Sequence, residues 1–317
     1  EYSSIIMLRF ILRRLTLMPL LLAAASILIF SMPYMIGLDP VKSIVRARIG
    51  ERDISPEAVE RFRVELGLDQ PLPVQYASWL AQLARGDLGY SYVSRTPVSE
   101  IIWRGFRISA LLTGITIGLA FMLSVPLGVI AALYQDRWPD RLIVFMSQCG
   151  IVMPSYVLGP LLVLLFGLHW GLLPSAGWRG PSYIVLPVLT LLLRPLAYFL
   201  QVMRSSVLDV LNADYVRTAH SKGLPQRTVI GVHVLRNSLI PVVTLAGLWL
   251  GSSIGGSVIV EVIFAIPGLG RIMYDAAIAG DLPLMQAGLI LFISMVVIVN
   301  TLTDFAYVVL NPTIRLT

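Results

Sequence analysis

Charged residues are scarce in this chain of 317 residues, where Asp, Glu, Lys and Arg together make up 13% of the sequence. A soluble globular protein has about 25% charged residues, so most of this chain suits a solvent other than water. Cysteine is nearly absent, and the single Cys149 cannot form a disulfide within the chain, which excludes a disulfide-stapled secreted domain. A hydrophobic content of 56% and a mean hydropathy of +0.80 also exclude a disordered chain.

Long apolar runs take the place of the missing charges. Crossing the ~30 Å hydrocarbon core of a bilayer takes roughly 20 helical residues. Five runs of this length contain no charged residue: Leu15–Ile36, Ile108–Gln135, Leu142–Leu168, Asn237–Val260 and Leu282–Thr303. A sixth, Tyr183–Met203, contains only Arg194. Backbone N–H and C=O groups find no hydrogen-bond partner in lipid, which favours helices. The alternating apolar and polar segments of a β-barrel do not occur in the sequence. The sequence therefore predicts an all-α integral membrane protein with six transmembrane helices.

The basic residues between the runs orient the chain. If the N-terminus is cytoplasmic, the short inner segments hold 11 Arg and Lys residues, whereas the short outer loops hold only Arg179 and Arg271. Basic residues accumulate on the cytoplasmic side, so we expect both termini there. Three regions follow from this arrangement. They are the N-terminus with the first helix (1–36), an extracytoplasmic segment (37–107), and a core (108–317) that contains helices 2–6 and a cytoplasmic loop, 204–236.

Few residues stand in a pattern that could bind nucleotide or metal or catalyse a reaction. Lys42 and Lys222 are the only lysines, and neither stands in the Gly-x-x-x-x-Gly-Lys-Ser/Thr pattern that binds nucleotide phosphates. The chain also lacks the His-Glu-x-x-His pattern of zinc proteases. His169 is expected outside, whereas His220 and His233 are expected inside, so the three cannot form one metal site. We therefore expect no catalytic residue, metal or cofactor in this chain.

The outer segment is expected to contain two short helices. Ser55 is a natural N-cap, Pro56 suits the first helical position, and Gly67 ends the pattern. A second stretch, Val74–Leu83, is amphipathic. Two interpretations stay open, namely a cap on the membrane surface and a docking surface for an extracytoplasmic partner that delivers the substrate.

The inner loop predicts a short helix with an abrupt end. The helix should cover Asn212–Lys222, because Gly223 can leave it in the left-handed conformation and Pro225 prevents its continuation. A second helix then runs into the fifth span. Such a surface helix can press on a soluble partner or serve as an ordinary connector, and the pattern alone leaves both open.

Two segments of this loop resemble a known family. Asp214-Tyr-Val-Arg-Thr-Ala-His-Ser-Lys-Gly223 and His233-Val-Leu-Arg-Asn-Ser-Leu-Ile-Pro241 are similar to the EAA loop of bacterial ABC importer permeases, in the first-permease variant of the oligopeptide/dipeptide/nickel branch. The usual acid is absent at Arg217, and Arg236 stands where many relatives have proline; both departures are usual in the peptide branch. The resemblance implies a coupling helix that docks on the ATP-hydrolysing subunit. Its residues would be Asp214, Tyr215, Arg217, Thr218, Ala219, Lys222 and Gly223.

Further segments resemble the same branch, so that the likeness covers the chain from Met7 onward. They are Leu66-Gly-Leu-Asp-Gln-Pro-Leu, Gly86-Asp-Leu-Gly89, Val260-Glu-Val-Ile-Phe-Ala-Ile-Pro-Gly-Leu-Gly270 and Asn311-Pro-Thr-Ile-Arg315. The family implies the type I ABC importer permease fold in the bacterial cytoplasmic (inner) membrane. It also implies a homologous second permease, two ABC ATPase subunits that bind ATP and Mg, and an extracytoplasmic solute-binding protein, with no role for nucleic acid.

Polar residues at membrane depth are candidates for the translocation path. Arg194 either lines the path, where it attracts a peptide carboxylate, or snorkels or pairs within the bundle. Ser155 and Tyr156 lie between Pro154 and Pro160, which are interpreted as kinks beside a cavity-facing break.

The end of the fifth span is expected to form an outer gate. Pro267, Gly268 and Gly270 predict a re-entrant turn there. Glu261 is a path candidate as well, although bonding to the turn's amides is its favoured role. Small residues recur at Gly247, Gly251 and Gly255, a spacing that indicates close helix packing rather than a substrate contact.

The substrate expected from the resemblance is a peptide, either an oligopeptide or a dipeptide. Nickel chelates, glutathione and opines are alternatives within the same branch. A secondary transporter is a more distant alternative, since it would need coupling charges near the midplane, and spans two, three and six contain none.

Overall fold

The computed structural model describes residues 2–35, 37, 39, 41–42, 56–65 and 67–310. Within these residues the backbone is mostly helical, and its one strand-like pairing is an isolated bridge between Tyr90 and Pro97. The predicted all-α fold is confirmed. Ser55 and the C-terminal motif Asn311–Arg315 lie outside the described residues.

The described residues form a series of α-helices along the chain. They are α1 (Tyr2–Met35), α2 (Pro56–Glu65), α3 (Leu72–Ala84), α4 (Val98–Leu133), α5 (Trp138–Val152), α6 (Ser155–Leu162), α7 (Ser182–Leu211), α8 (Asp214–Ser221), α9 (Leu235–Gly256), α10 (Val258–Ile263), α11 (Leu269–Ala279) and α12 (Leu282–Leu310). A π-helical stretch, Val163–His169, continues α6, and another, Val229–Val234, leads into α9.

Length and composition identify the segments able to cross a membrane. Among the described residues, five helical segments meet both conditions: Thr16–Met35, Val98–Leu133, Ser182–Leu211, Gln226–Gly251 and Leu282–Thr303. A sixth span is present if Trp138–Val152 and Ser155–His169 count as one, and these two parts are bent by 102°. The run predicted over 142–168 is therefore a broken pair and not one straight helix.

Pro154 is the cause of this break. The residue before a proline is pushed out of the helical region, and Met153 has φ −67° and ψ 114°. Pro154 itself is extended, with ψ 138°, so the chain resumes its helix only at Ser155. The predicted kink at Pro154 is confirmed. Pro160 lies inside α6 and does not end it.

Several helices extend beyond the predicted apolar runs, and α4 and α7 show why. α4 begins at Val98 rather than Ile108, and α7 ends at Leu211 rather than Met203. The added turns contain charged residues, which exclude them from a hydropathy-based span. A helix that leaves the hydrocarbon carries such residues without penalty.

The chain divides into two compact units. One contains the residues up to Ser109 together with Pro267–Val297, and the other contains Ala110–Ile266 and the residues from Ile298 onward. The regional boundaries predicted at residues 36 and 107 stay a prediction.

In the first unit, α3 packs against α1 through aromatic rings. The Tyr76 ring meets the Phe30 ring edge-on, with centroids 5.4 Å apart, and the Trp79 ring lies 5.7 Å from Phe30. The Tyr76 and Ser26 hydroxyls share a hydrogen bond of 2.8 Å. The amphipathic stretch predicted over Val74–Leu83 therefore uses its aromatic residues to pack on the first long helix.

A buried carboxylate fixes the loop between α3 and α4, also in the first unit. Asp281, just before α12, accepts hydrogen bonds from the Ser91 hydroxyl and from the Tyr92 N–H, the latter at 3.1 Å. Both Asp281 and Ser91 are buried. Because a buried carboxylate is costly unless it is hydrogen-bonded, this contact holds the loop in one conformation.

The core of the second unit is built by α4, α7, α8 and α9. Its fully buried side chains include Phe199, Met203, Val207 and Val242. Gly128 of α4 faces this core, and a Cβ added there would lie 2.7 Å from Met203 Cβ. Only glycine therefore lets α4 approach α7 this closely.

The glycines of α9 confirm the packing interpretation. A Cβ added at Gly247 would lie 2.7 Å from Thr303 Oγ1, and one at Gly251 would lie 3.2 Å from Asn300 Oδ1. Both positions therefore pack against α12 of the same chain. The surroundings of Gly255 lie outside the described part of the structure.

Candidate functional site: an exposed inner helix and a membrane cavity

The short helix α8 has one buried face and one exposed face. Val216 and Ala219 are buried in the core of the second unit, next to Val207 and Val229. The other predicted coupling residues are exposed: Asp214, Tyr215, Arg217, Thr218, Lys222 and Gly223. Ala219 thus attaches the helix to its own chain, and the exposed set is free to meet another protein.

The end of α8 has the geometry predicted for Gly223. This residue has φ +75°, in the left-handed region that only glycine adopts without strain. Its N–H donates to His220 O at 2.9 Å, and the Leu224 N–H donates to Ala219 O at 3.4 Å. These are the two bonds of a Schellman motif, so the helix stops at a defined residue.

A hydrogen bond also links α8 to the following helix. The Asn237 side-chain amide donates to the Tyr215 hydroxyl at 2.9 Å and to His233 O at 3.0 Å. Between the two helices the backbone widens into the π-helical stretch Val229–Val234. This widening could not be predicted, because π-helical turns have no strong local sequence signal, although they recur at functional sites.

A cavity of about 590 Å³ opens at the break between α5 and α6, entirely within the second unit. Arg194 and Ser155 both line it, so the structure brings two of the predicted path residues together. Thr113, Thr190 and Trp249 from three other helices complete much of its wall. Tyr156 is exposed and does not line this cavity.

Arg194 carries the only charge on the described cavity wall. Its side chain is exposed, and it forms no ion pair with any residue that the structure describes. The snorkelling or path-lining alternatives fit this observation better than a salt bridge inside the bundle.

Glu261 lies away from the cavity in a fully buried position. Its Oε1 accepts a hydrogen bond of 2.7 Å from the Ser257 hydroxyl, one turn earlier. Its backbone carbonyl accepts the Ile266 N–H at 2.8 Å, which helps to close the turn after α10. Both of these bonds are structural, and the predicted bonding of the Glu261 carboxylate to the amides of the turn stays a prediction.

The residues of the predicted outer turn lie in the connection between α10 and α11 and at the start of α11, and the role of this turn as an outer gate stays a prediction. Ala265 has φ 53°, a left-handed conformation that a glycine would adopt more easily. Pro267 is exposed, whereas Gly268 and Gly270 are buried. The Leu269 N–H, at the start of α11, donates to the Ser109 hydroxyl at 2.8 Å, which fixes this end of the turn.

An ion pair that the sequence did not reveal holds α5 to α7. Arg204 donates from Nε to Asp140 Oδ1 at 2.6 Å and from Nη2 to Oδ2 at 2.7 Å. The Asp136 N–H adds a third bond to Oδ2 at 2.9 Å. This pair, the α5–α7 clasp, joins the first turn of α5 to a position on α7 about two turns before that helix ends. Charges at the ends of two apolar runs were its only sequence signal.

The described chain is thus a helical membrane protein that carries a short, exposed and sharply ended helix between two apolar spans. The chain belongs to the family of binding-protein-dependent transport system inner membrane components, which matches residues 124–316. The N-terminal family of the same components matches residues 7–113. The resemblance to ABC importer permeases is confirmed.

Curated relatives extend over almost the whole chain. The glutathione transport system permease protein GsiC of Escherichia coli (strain K12) is 37% identical over 309 residues, which cover 98% of this chain and 99% of the relative. The protein of the same name from Salmonella typhimurium (strain LT2) is 38% identical over 310 residues, with the same coverage. The chain is therefore a multi-pass permease subunit of an ABC importer in the inner membrane.

Solved transporters share the fold. The MetNI methionine ABC transporter, in its inward facing conformations, gives a TM-score of 0.55 at 18% identity, covering 68% of this chain and 98% of that chain. An amino acid ABC transporter with histidines gives 0.50 at 16% identity, covering 66% and 94%. At such identities the likeness concerns the fold alone.

Proposed function

We propose that this permease imports small peptides, which a solute-binding protein delivers and partner ATPases drive across the membrane. Oligopeptides and dipeptides are the first candidates. Glutathione, itself a tripeptide, is the second, because the relatives at 37–38% identity are named as glutathione permeases. The observation that carries the peptide proposal is the cavity at the α5–α6 break, where Arg194 supplies a positive charge that forms no ion pair with the described residues.

The exposed face of α8 is the proposed contact for the ATPase. Two features support this role: the helix ends at a fixed Schellman motif, and its other face is anchored in the core. When the ATPases close on ATP they would press on α8, which would rock the helices and open the cavity outward. Hydrolysis would then restore the inward-facing state.

The remaining partners belong to the same proposal. A homologous second permease would close the open side of the cavity, and the outer segment 37–107 would dock the solute-binding protein. The turn at Pro267, Gly268 and Gly270 would act as the outer gate. We place α8 and both termini in the cytoplasm, on the strength of the 11 basic residues of the inner segments.

Substrate-stimulated ATPase activity of the reconstituted complex tests the coupling role. Asp214→Arg reverses an exposed charge on α8 and should abolish the stimulation. Gly223→Pro should do the same, because proline requires φ near −65° where Gly223 has +75°, and because it removes the N–H that bonds His220 O. Asp209→Arg is the matched control, since it reverses an exposed charge of the same segment on α7, outside α8. Full stimulation in both α8 variants would refute the coupling role.

Uptake in a strain that lacks this subunit tests the substrate. We would compare a labelled tetrapeptide, labelled glutathione and labelled nickel. Loss of tetrapeptide uptake would support the first candidate, and loss of glutathione uptake alone would support the second. Loss of nickel uptake alone would move the assignment to the metal-chelate importers and refute the peptide proposal.

A further inference from the structure

A cavity of about 440 Å³ lies entirely within the first unit. Its wall is formed by the last turns of α1, by α3, by the loop before α4 and by the first turns of α12. Because the first apolar span ends here and the last one begins, the cavity lies at one surface of the membrane, which is the outer surface in the orientation proposed above. Its volume is within the range of roughly 300–1,000 Å³ that is typical of small-molecule sites.

Aromatic rings supply much of this wall. Five of the described lining residues carry one: Phe30, Tyr34, Trp79, Tyr90 and Tyr92. Three of these rings form one cluster, since the Phe30 centroid lies 5.7 Å from the Tyr34 centroid and 5.7 Å from that of Trp79. The face of an aromatic ring carries partial negative charge and attracts a cation that lies within about 6 Å of its centre.

Hydrogen bonds fix the Tyr34 ring in this wall. The Tyr34 hydroxyl donates to Gln75 Oε1 at 2.7 Å, and Gln75 Nε2 in turn donates to Leu68 O at 3.2 Å and to Gln70 O at 2.7 Å. These bonds use the hydroxyl hydrogen of Tyr34 and the side-chain amide of Gln75. Both residues therefore build the wall, and recognition of a charged guest depends on other groups.

Asp87 is the one charged residue on the described wall of the cavity. Its side chain is exposed, and its Oδ1 accepts the Gly89 N–H at 2.9 Å, which fixes the carboxylate in the loop. Its Oδ2 forms no hydrogen bond or ion pair with any residue that the structure describes. Gln82 and Leu83, in the last turn of α3, also line the cavity, and the C-terminal end of a helix carries partial negative charge. A wall with one carboxylate, several aromatic rings and no basic residue favours a cationic guest.

We propose that this cavity binds a primary ammonium group, with the Asp87 carboxylate as its counter-ion and the aromatic rings around it. Two sources offer such a group at a membrane surface, namely the free N-terminus of a peptide and the ethanolamine headgroup of a phospholipid. The chemistry of recognition is the same for both, a charge-assisted hydrogen bond together with cation–π contacts. The peptide source rests on the function proposed above, whereas the lipid source does not.

The test uses the assembled permease and ATPase subunits without the solute-binding protein. For the peptide source, saturation-transfer NMR in phosphatidylglycerol nanodiscs would compare trialanine with N-acetyl-trialanine, which has no ammonium group. For the lipid source, native mass spectrometry would compare the retention of phosphatidylethanolamine and phosphatidylglycerol from mixed micelles that contain equal amounts of both. We expect the wild-type transporter to prefer the ammonium form in at least one of the two comparisons.

Variants of two lining residues separate the charge from the rings. Asp87→Asn keeps a side-chain oxygen for the Gly89 N–H and removes the charge, so it should weaken binding of the ammonium form about tenfold and leave the other form unchanged. Tyr90→Leu should weaken the same form about two- to fivefold, whereas Tyr90→Phe keeps the ring and should bind like the wild type. Glu100→Gln is the matched control, because it removes an exposed carboxylate of the same unit that does not line the cavity. It should leave every affinity at the wild-type level.

The outcomes identify the source or reject the site. A preference for trialanine that disappears in Asp87→Asn supports the peptide source, and a preference for phosphatidylethanolamine that disappears in the same variant supports the lipid source. If neither probe shows a preference that depends on Asp87, or if Glu100→Gln has the same effect as Asp87→Asn, the ammonium site is overturned.

Uptake of the labelled tetrapeptide by the wild-type transporter separates this proposal from the proposed function. If uptake occurs and no preference depends on Asp87, the ammonium site is wrong and peptide import stands. If uptake does not occur and the preference for phosphatidylethanolamine depends on Asp87, the site stands as a lipid site and peptide import is wrong.

Discussion

The α5–α7 clasp should contribute strongly to the free energy of unfolding of the second unit. Arg204 donates two hydrogen bonds of 2.6 and 2.7 Å to the Asp140 carboxylate. The Asp140 side chain is only 4% exposed, whereas that of Arg204 is 24% exposed. The two partners should therefore respond differently when one of them is removed, since only the arginine can still reach water.

Removing the arginine leaves a buried carboxylate with one remaining bond, from the Asp136 N–H. Arg204→Met should therefore cost about 3–5 kcal/mol of unfolding free energy. Asp140→Asn leaves a partly exposed guanidinium that still has an amide oxygen to bond, and it should cost about 1–2 kcal/mol. The double variant leaves no stranded charge and should cost only roughly 2–3 kcal/mol, which corresponds to a coupling energy of roughly 2–4 kcal/mol.

SDS titration of the purified chain in mixed micelles, followed by the fluorescence of its six tryptophans, would measure these free energies. Arg137→Met is the control, because it removes an exposed arginine beside the same turn. It should change the unfolding free energy by less than about 0.5 kcal/mol. Additive single effects, or a larger loss in Asp140→Asn than in Arg204→Met, would refute the reasoning.

Four further substitutions concern the backbone and helix packing, and the same titration measures each of them. Gly247→Ala should destabilise the chain by about 1–3 kcal/mol, because its Cβ would lie 2.7 Å from Thr303 Oγ1. Gly114→Ala, which meets nothing within 4 Å, should instead stabilise it by up to about 1 kcal/mol, and a loss equal to that of Gly247→Ala would contradict the packing argument. Ala265→Gly should stabilise by about 1 kcal/mol, since Ala265 has φ 53°; destabilisation would mean that its methyl contacts outweigh the strain. Asp136→Gly should give a similar gain, because Asp136 has φ 62° and its N–H bond to the clasp does not need the side chain; an unchanged stability would argue against strain at this turn.

Features set by local chemistry could be predicted from the sequence. Gly223 takes a left-handed conformation because glycine has no Cβ. Pro154 disrupts its helix because a proline disfavours the helical conformation of the residue before it. The apolar runs predicted the spans because hydrocarbon thickness sets their length. The helix ends moved, as at Val98, because hydropathy marks where the membrane ends and not where the helix ends.

Features that depend on distant parts of the chain could not be predicted. Asp140 and Arg204 are 64 positions apart, and Ser91 and Asp281 are 190 apart, so no spacing rule connects them. The environment of Thr113 could not be predicted for a related reason: a threonine in a span normally bonds its own helix, whereas the Thr113 hydroxyl has no hydrogen-bond partner among the described residues.

The brevity of α8 has a mechanical consequence. It has eight residues, whereas isolated helices below about 12–15 residues are marginal in water. Its helical conformation is therefore stabilised by packing on the bundle, through the burial of Val216 and Ala219. A protein that binds the exposed face of α8 is therefore connected, through this helix, to the hydrophobic core. Detaching α8 from the core would expose both side chains to water, which costs free energy. A force applied to α8 should therefore move the bundle together with it.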